Sequence, residues 1–198
     1  MKLLAFSDVH EDYVLVKKLV KRAQQKDIDL VICAGDFTVM GSGMRRVLSQ
    51  LDSIGKKVLV IPGNHESPEK LAEFVGQTTN CFFLHKNYYS FQNLLFVGYG
   101  TDGFSLEDPE FRQVAREWRR EFPEVKLVLV THGPAYGTKL DWLVNRHVGN
   151  KDYRKFIERV QPVLAISGHL HETSGMTDTV GKTTVVNPCW EGMVIELG

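Results

Sequence analysis

The chain has 198 residues, and its 24 lysines and arginines balance its 24 aspartates and glutamates, for a formal charge of zero. Broad nonspecific nucleic-acid binders and peripheral membrane proteins carry a basic excess that neutralises phosphate, so the balance argues against both and any phosphate affinity must be local. A hydrophobic content of 43% with 24% charged residues is that of a folded chain and not of a disordered one. The length suits one domain over residues 1–198.

In chain order, residues 2–6 form a short apolar run closed by Ser7 and Asp8, which predicts a strand. Leu15, Val16, Leu19, Val20 and Ala23 then recur at helical spacing. Runs at 30–34 and 58–61 predict strands around a helix marked by Val47, Leu48, Leu51 and Ile54. This βαβαβ order implies parallel strands and an α/β protein. Ser67 as N-cap and Pro68 in the first helical position predict a helix over 68–75. Three short runs at 82–84, 88–91 and 94–97 read as a meander.

A helix over 109–122 places Phe111, Val114, Ala115, Trp118 and Phe122 on one stripe, with its polar face in solvent. A strand at 127–130, a helix around Phe156, Ile157 and Val160, and a strand at 163–166 follow. The end reads as a hairpin region, in which Gly181-Lys182 turns into strands at 183–186 and 193–197. Between them, the irregular segment 133–151 carries Trp142 and Leu143 and has two readings, a binding lid or a packed surface loop. Within it Lys139, Arg146 and His147 are candidates for substrate contact, whereas His85 reads as a loop or strand-edge residue.

Cys33, Cys81 and Cys189 are odd in number and form no CxxC pair, which argues against a disulfide framework or a cysteine zinc site and fits a reducing compartment. No apolar run approaches the roughly 18 residues of a membrane span. A cytoplasmic protein is expected, with homo-oligomerisation left open.

Five clusters begin where predicted strands end: Asp8-Val9-His10, Gly35-Asp36, Gly63-Asn64-His65-Glu66, His132-Gly133-Pro134 and Gly168-His169-Leu170-His171. Singly each has a bland reading, since Asp8 could cap a helix, Gly35-Asp36 and Gly63-Asn64 are turn signals, and His132 could be a hydrogen-bonded strand-end histidine. Together they are informative, because side chains beyond the carboxyl ends of strands in an α/β fold converge at one edge. Imidazole nitrogen with carboxylate and amide oxygen suits Mn, Fe, Co, Ni or Zn better than Mg or Ca. Seven candidate ligands are too many for one ion. Two ions need a carboxylate that bridges them, and Asp36 is the candidate.

These motifs resemble the signature of the calcineurin-like metallophosphoesterases, in which DxH, GD, GNH with an acidic residue, GH or H, and GHxH occur in this order. The likeness runs from Asp8 to His171 and is similar to small archaeal and bacterial predicted phosphoesterases related to cyclic-nucleotide phosphodiesterases. It implies a two-sheet sandwich flanked by helices. It further implies that Asp8, His10, Asp36 and His171 hold one metal, that Asp36, Asn64, His132 and His169 hold the second, and that His65 is catalytic, bonding the phosphoryl oxygen or protonating the departing one. Asp36-Phe37-Thr38 lacks the longer wording of the protein serine/threonine phosphatases, so that role is disfavoured, and Ala135 stands where relatives often carry a second proline.

The expected activity is hydrolysis of a small phosphate ester, diester ahead of monoester, by a hydroxide bridging two divalent ions. A non-catalytic adaptor of the same fold and a nuclease are the alternatives.

Overall fold

The computed structural model describes residues 1–100 and 103–198. Its first half is built from β1 (Lys2–Phe6), α1 (Tyr13–Ala23), β2 (Leu30–Cys33), α2 (Met44–Asp52), β3 (Val58–Val60), α3 (Pro68–Val75) and β4 (Cys81–Phe83). The second contains β5 (Asn87–Phe91), β6 (Leu94–Tyr99), α4 (Pro109–Glu121), β7 (Leu127–Thr131), β8 (Trp142–Leu143), β9 (Arg146–His147), α5 (Lys151–Val160), β10 (Leu164–Ile166), β11 (Thr177–Val180), β12 (Thr183–Val186) and β13 (Met193–Glu196). Helix starts follow local chemistry. The Asp12 carboxylate accepts the Val14 and Leu15 N–H groups, and the Ser67 hydroxyl caps α3 ahead of Pro68.

Two sheets form, of order β13-β1-β2-β3-β4 and β11-β12-β10-β7-β6-β5. Strands β1 to β4 run parallel, as do β12, β10, β7 and β6, while β13, β5 and β11 are antiparallel edges. Alternation along β1 divides its side chains: Leu3 and Ala5 enter the layer between the sheets, and Leu4 and Phe6 pack under α1 and α2. The inter-sheet layer joins Leu30, Ile32 and Leu59 to Phe96, Val128 and Ile166, whereas α4 and α5 cover the other outer face through Phe111, Trp118 and Phe156. The result is the expected two-sheet sandwich between helical layers. Among the described residues no helix is long and apolar enough to cross a membrane.

Three expectations need correction. The runs expected as one meander divide between the sheets, because α3 turns β3-α3-β4 into a parallel crossover and only β5 and β6 form a hairpin. The hairpin turn at Gly181-Lys182 is present, but its first arm is β11, a strand hidden in sequence because its exposed edge, Thr177-Asp178-Thr179, carries no apolar residue before Val180. The last strand, β13, belongs to the other sheet, where Leu3 faces Ile195.

The polar face of α4 is also less free than expected, since Arg112 pairs with Asp152 and Glu107. Segment 133–151 folds around Asp141, whose fully buried carboxylate accepts the N–H groups of Gly137, Thr138 and Gly149 and lies 2.7 Å from His147 Nδ1, and it carries the β8–β9 hairpin with Trp142 and Val144 exposed.

His85 lies where the chain passes between sheets. It is only 8% exposed, and its Nδ1 accepts the Gly100 N–H at 2.9 Å. Burial, reinforced by the Lys86 charge, lowers its pKa to about 4. A depressed folded-state value means that its contribution is complete above the unfolded value near 6.5 and lost as pH falls from there through 4. We expect up to about 3 kcal/mol of acid destabilisation from this residue. In urea titrations, the stability advantage of the wild type over His85→Asn should therefore shrink between pH 7.5 and 4; a constant difference would refute the burial argument.

Candidate metal centre

The five clusters follow β1, β2, β3, β7 and β10, so the carboxyl edges of both sheets converge. Asp8, His10 and His171 form one group of donor atoms lying within 4.8 Å of one another; Asp36, His132 and His169 form another, and His10, Asp36 and His65 a third. Asp36 thus belongs to groups on both sides. Asn64 joins through its Oδ1, 3.1 Å from His132 Nε2. All eight residues singled out from sequence are brought together.

Their orientation is fixed by the backbone. His132 Nδ1 lies 2.9 Å from the Ala34 carbonyl and His10 Nδ1 3.4 Å from that of Thr38, so each ring donates there and directs Nε2 into the centre. The Asp8 carboxylate accepts the His169 N–H, tying the first cluster to the last. Asp8, His10, Asp36 and His169 have φ values of 55, 41, 51 and 69°, in the left-handed region that non-glycine residues seldom occupy. Such strain persists where the surroundings over-determine the backbone. Gly35 has no room for a side chain, because a Cβ would come within 2.6 Å of Gly63 N and 2.7 Å of His132 Nδ1.

The donors crowd as ligands of a common cation do. His10 Nε2 lies 3.3 Å from His171 Nε2, His132 Nε2 3.3 Å from Asp36 Oδ2, and His169 Nδ1 3.3 Å from His132 Nε2. Donors roughly 2.1 Å from one ion stand about 3.0 to 3.4 Å apart, so the spacings and the N/O chemistry fit divalent cations. The charges agree. Burial drives the Asp36 pKa up, but the hydrogen bond and charge of His132 and the His65 N–H outweigh it and hold Asp36 below the ordinary range. Burial alone would lower the His132 pKa, yet Asp36 raises it above that of an ordinary histidine. A proton on His132 thereby answers the Asp36 charge where a cation would.

Sequence reasoning left out Glu66 as a site residue, although it follows His65 directly. Its carboxylate is 5% exposed and accepts from Asp36 N, Gly63 N and Thr38 N, each at 2.9 Å, and from the Thr38 hydroxyl at 2.7 Å. It therefore clamps the Asp36 loop to the Asn64 loop. Glu66→Ala should lower stability by about 4 kcal/mol, because three N–H groups are orphaned in a dry site, and should weaken metal binding as well. Unfolding free energies from urea titration within about 1 kcal/mol of wild type would refute the clamp. Phe104 and Trp190, whose rings pack edge-on to His169 and His171 at 4.1 and 5.2 Å, were likewise not foreseen, because no spacing in the sequence signals such contacts.

Residues 1–173 match the model of the family described as calcineurin-like phosphoesterase. A UPF0046 protein of Caenorhabditis elegans is 29% identical over 211 residues, covering 94% of this chain and 69% of that protein. The human metallophosphoesterase domain-containing protein 1 is 31% identical over 198 residues, covering 80% and 59%, and a probable cyclic nucleotide phosphodiesterase of Synechococcus is 26% identical over 174 residues, covering 80% and 65%. The chain thus spans 59% to 69% of the length of these curated relatives. In fold it is similar to the solved TT1561 protein of Thermus thermophilus, with a TM-score of 0.80 at 15% identity over 96% of this chain and 90% of that one. With the family model matched along most of its length and its motifs gathered at one edge of both sheets, the chain belongs to the calcineurin-like phosphoesterase family.

Proposed function

We propose that the chain hydrolyses small phosphodiesters in preference to monoesters, using two divalent transition-metal ions, of which manganese is the first choice. The observation that carries this reading is the position of Asp36 between two donor groups, with His65 alongside both His10 and Asp36. Asp8, His10, Asp36 and His171 would hold one cation, and Asp36, Asn64, His132 and His169 the other. Bound there, the cations would supply an activated water and neutralise the phosphoryl oxygens.

The chain's own residues supply the rest. His65 Nδ1 accepts the Met40 N–H at 3.2 Å, which leaves the ring proton on Nε2, 4.0 Å from Asp36 Oδ2. From there Nε2–H donates to a phosphoryl oxygen or to the departing oxygen. The Ala34 and Thr38 carbonyls hold His132 and His10 in place and keep their Nε2 lone pairs turned inward. Diester preference draws support from the Synechococcus relative, named a probable cyclic nucleotide phosphodiesterase. A cytoplasmic location fits the three free, buried cysteines.

The test is to strip the protein with chelator, restore Mn, Ni, Zn or Mg singly, and compare bis(p-nitrophenyl) phosphate with p-nitrophenyl phosphate. We expect no turnover without metal and faster diester hydrolysis with manganese. Activity on neither ester would favour the adaptor, and activity confined to DNA the nuclease.

A further inference from the structure

Helices α4 and α5 flank an open hollow of 220 Å³ on the outer face of the second sheet, apart from the clustered metal-site residues. Its floor is apolar, with Phe111, Ala115 and Phe156. Its rim carries Arg112, Arg116, Arg119, Lys155 and Arg159 against a single carboxylate, Asp152. The spacing explains the convergence: Arg112, Arg116 and Arg119 stand at i, i+4 and i+7 on one helix, and Lys155 and Arg159 at i and i+4 on the other.

Asp152 is already matched, since it is 3% exposed, lies 3.2 Å from Arg112 and 3.7 Å from Lys155, and accepts the Asp108 N–H at 2.8 Å. Arg116, Arg119 and Arg159 have no ion-pair partner among the described residues. Three unpaired guanidinium groups over one concave apolar floor are conspicuous in a chain whose formal charge is zero.

We propose that this cavity binds a phosphate-bearing small molecule, distinct from the substrate of the metal centre. Guanidinium forks match phosphate oxygens two at a time, and the apolar floor accommodates a compact organic body. The volume admits only a small ligand.

The test uses the zinc-loaded full chain and inorganic phosphate, read through the guanidinium Nε–H signals in proton–nitrogen NMR spectra at constant ionic strength. Those of Arg116, Arg119 and Arg159 should shift and saturate. In Arg116→Gln/Arg159→Gln, half-saturation of the Arg119 signal should need about tenfold more phosphate or more, while phosphodiester turnover stays at the wild-type rate. A shift that chloride reproduces, or an unchanged midpoint in the double variant, would overturn the site. Tighter engagement by a poly-glutamate peptide or an oligonucleotide than by phosphate would overturn the small-ligand class.

Discussion

Asp36→Ala should abolish metal retention and lower phosphodiester turnover by at least about 10⁴-fold, on the order of 5 kcal/mol in the barrier. The size follows from what the carboxylate does. It belongs to donor groups on both sides of the centre, lies 3.3 Å from His132 Nε2 and accepts the His65 N–H at 2.9 Å. Its removal leaves two sets of neutral donors with one carboxylate, Asp8, to offset four formal positive charges. Elemental analysis after equilibration reads the first effect and steady-state kinetics the second. A variant retaining two equivalents of metal would refute the bridging assignment, whereas loss of turnover with one equivalent retained would confine Asp36 to a single ion. Asp36→Asn, which keeps the acceptor for the His65 N–H, separates the backbone contact from the charge and should fail nearly as badly.

The donors were legible in sequence because each stands within a few residues of a strand's carboxyl end, and strand ends follow from apolar runs. What could not be read is what depends on pairing between distant segments. The assignment of β4 and β5 to different sheets turns on whether a short apolar run pairs forward or backward, and three residues of pattern do not decide that. The edge strand β11 is polar where it meets solvent and so lacks the alternation that marks strands. Nothing in the sequence marks Glu66 and Asp141 as buried, yet each is, and each organises its loop by accepting backbone N–H groups. The cationic cavity unites helices about forty residues apart, and neither helix alone announces it.

The same logic locates strain where chemistry is expected. Four of the eight site residues hold left-handed backbone, and the opposing compensation is visible: the Asp8 N–H donates to Gly35 O, the His10 N–H to Asp36 O, and the His169 N–H to the Asp8 carboxylate. Each contact crosses from one cluster to another. A conformation costing roughly 1 to 2 kcal/mol per residue is thus held by bonds that also fix the distances between donors.

His65→Ala is the complementary experiment, because it should leave metal content unchanged and reduce turnover by about 10² to 10⁴. The Met40 N–H occupies Nδ1, so Nε2 carries the proton and faces Asp36, while the ring packs edge-on to His10 at 4.8 Å. A histidine so placed either protonates the leaving oxygen or steadies a phosphoryl oxygen, and leaving-group chemistry separates the two. As an acid it matters most when the departing alkoxide is strongly basic, so the variant should lose more with alkyl diesters than with p-nitrophenyl diesters. As a phosphoryl-oxygen donor it should cost the same factor with both. Unchanged turnover would remove His65 from the mechanism, and loss of an equivalent of metal would move it into the ligand set, as its grouping with His10 and Asp36 allows.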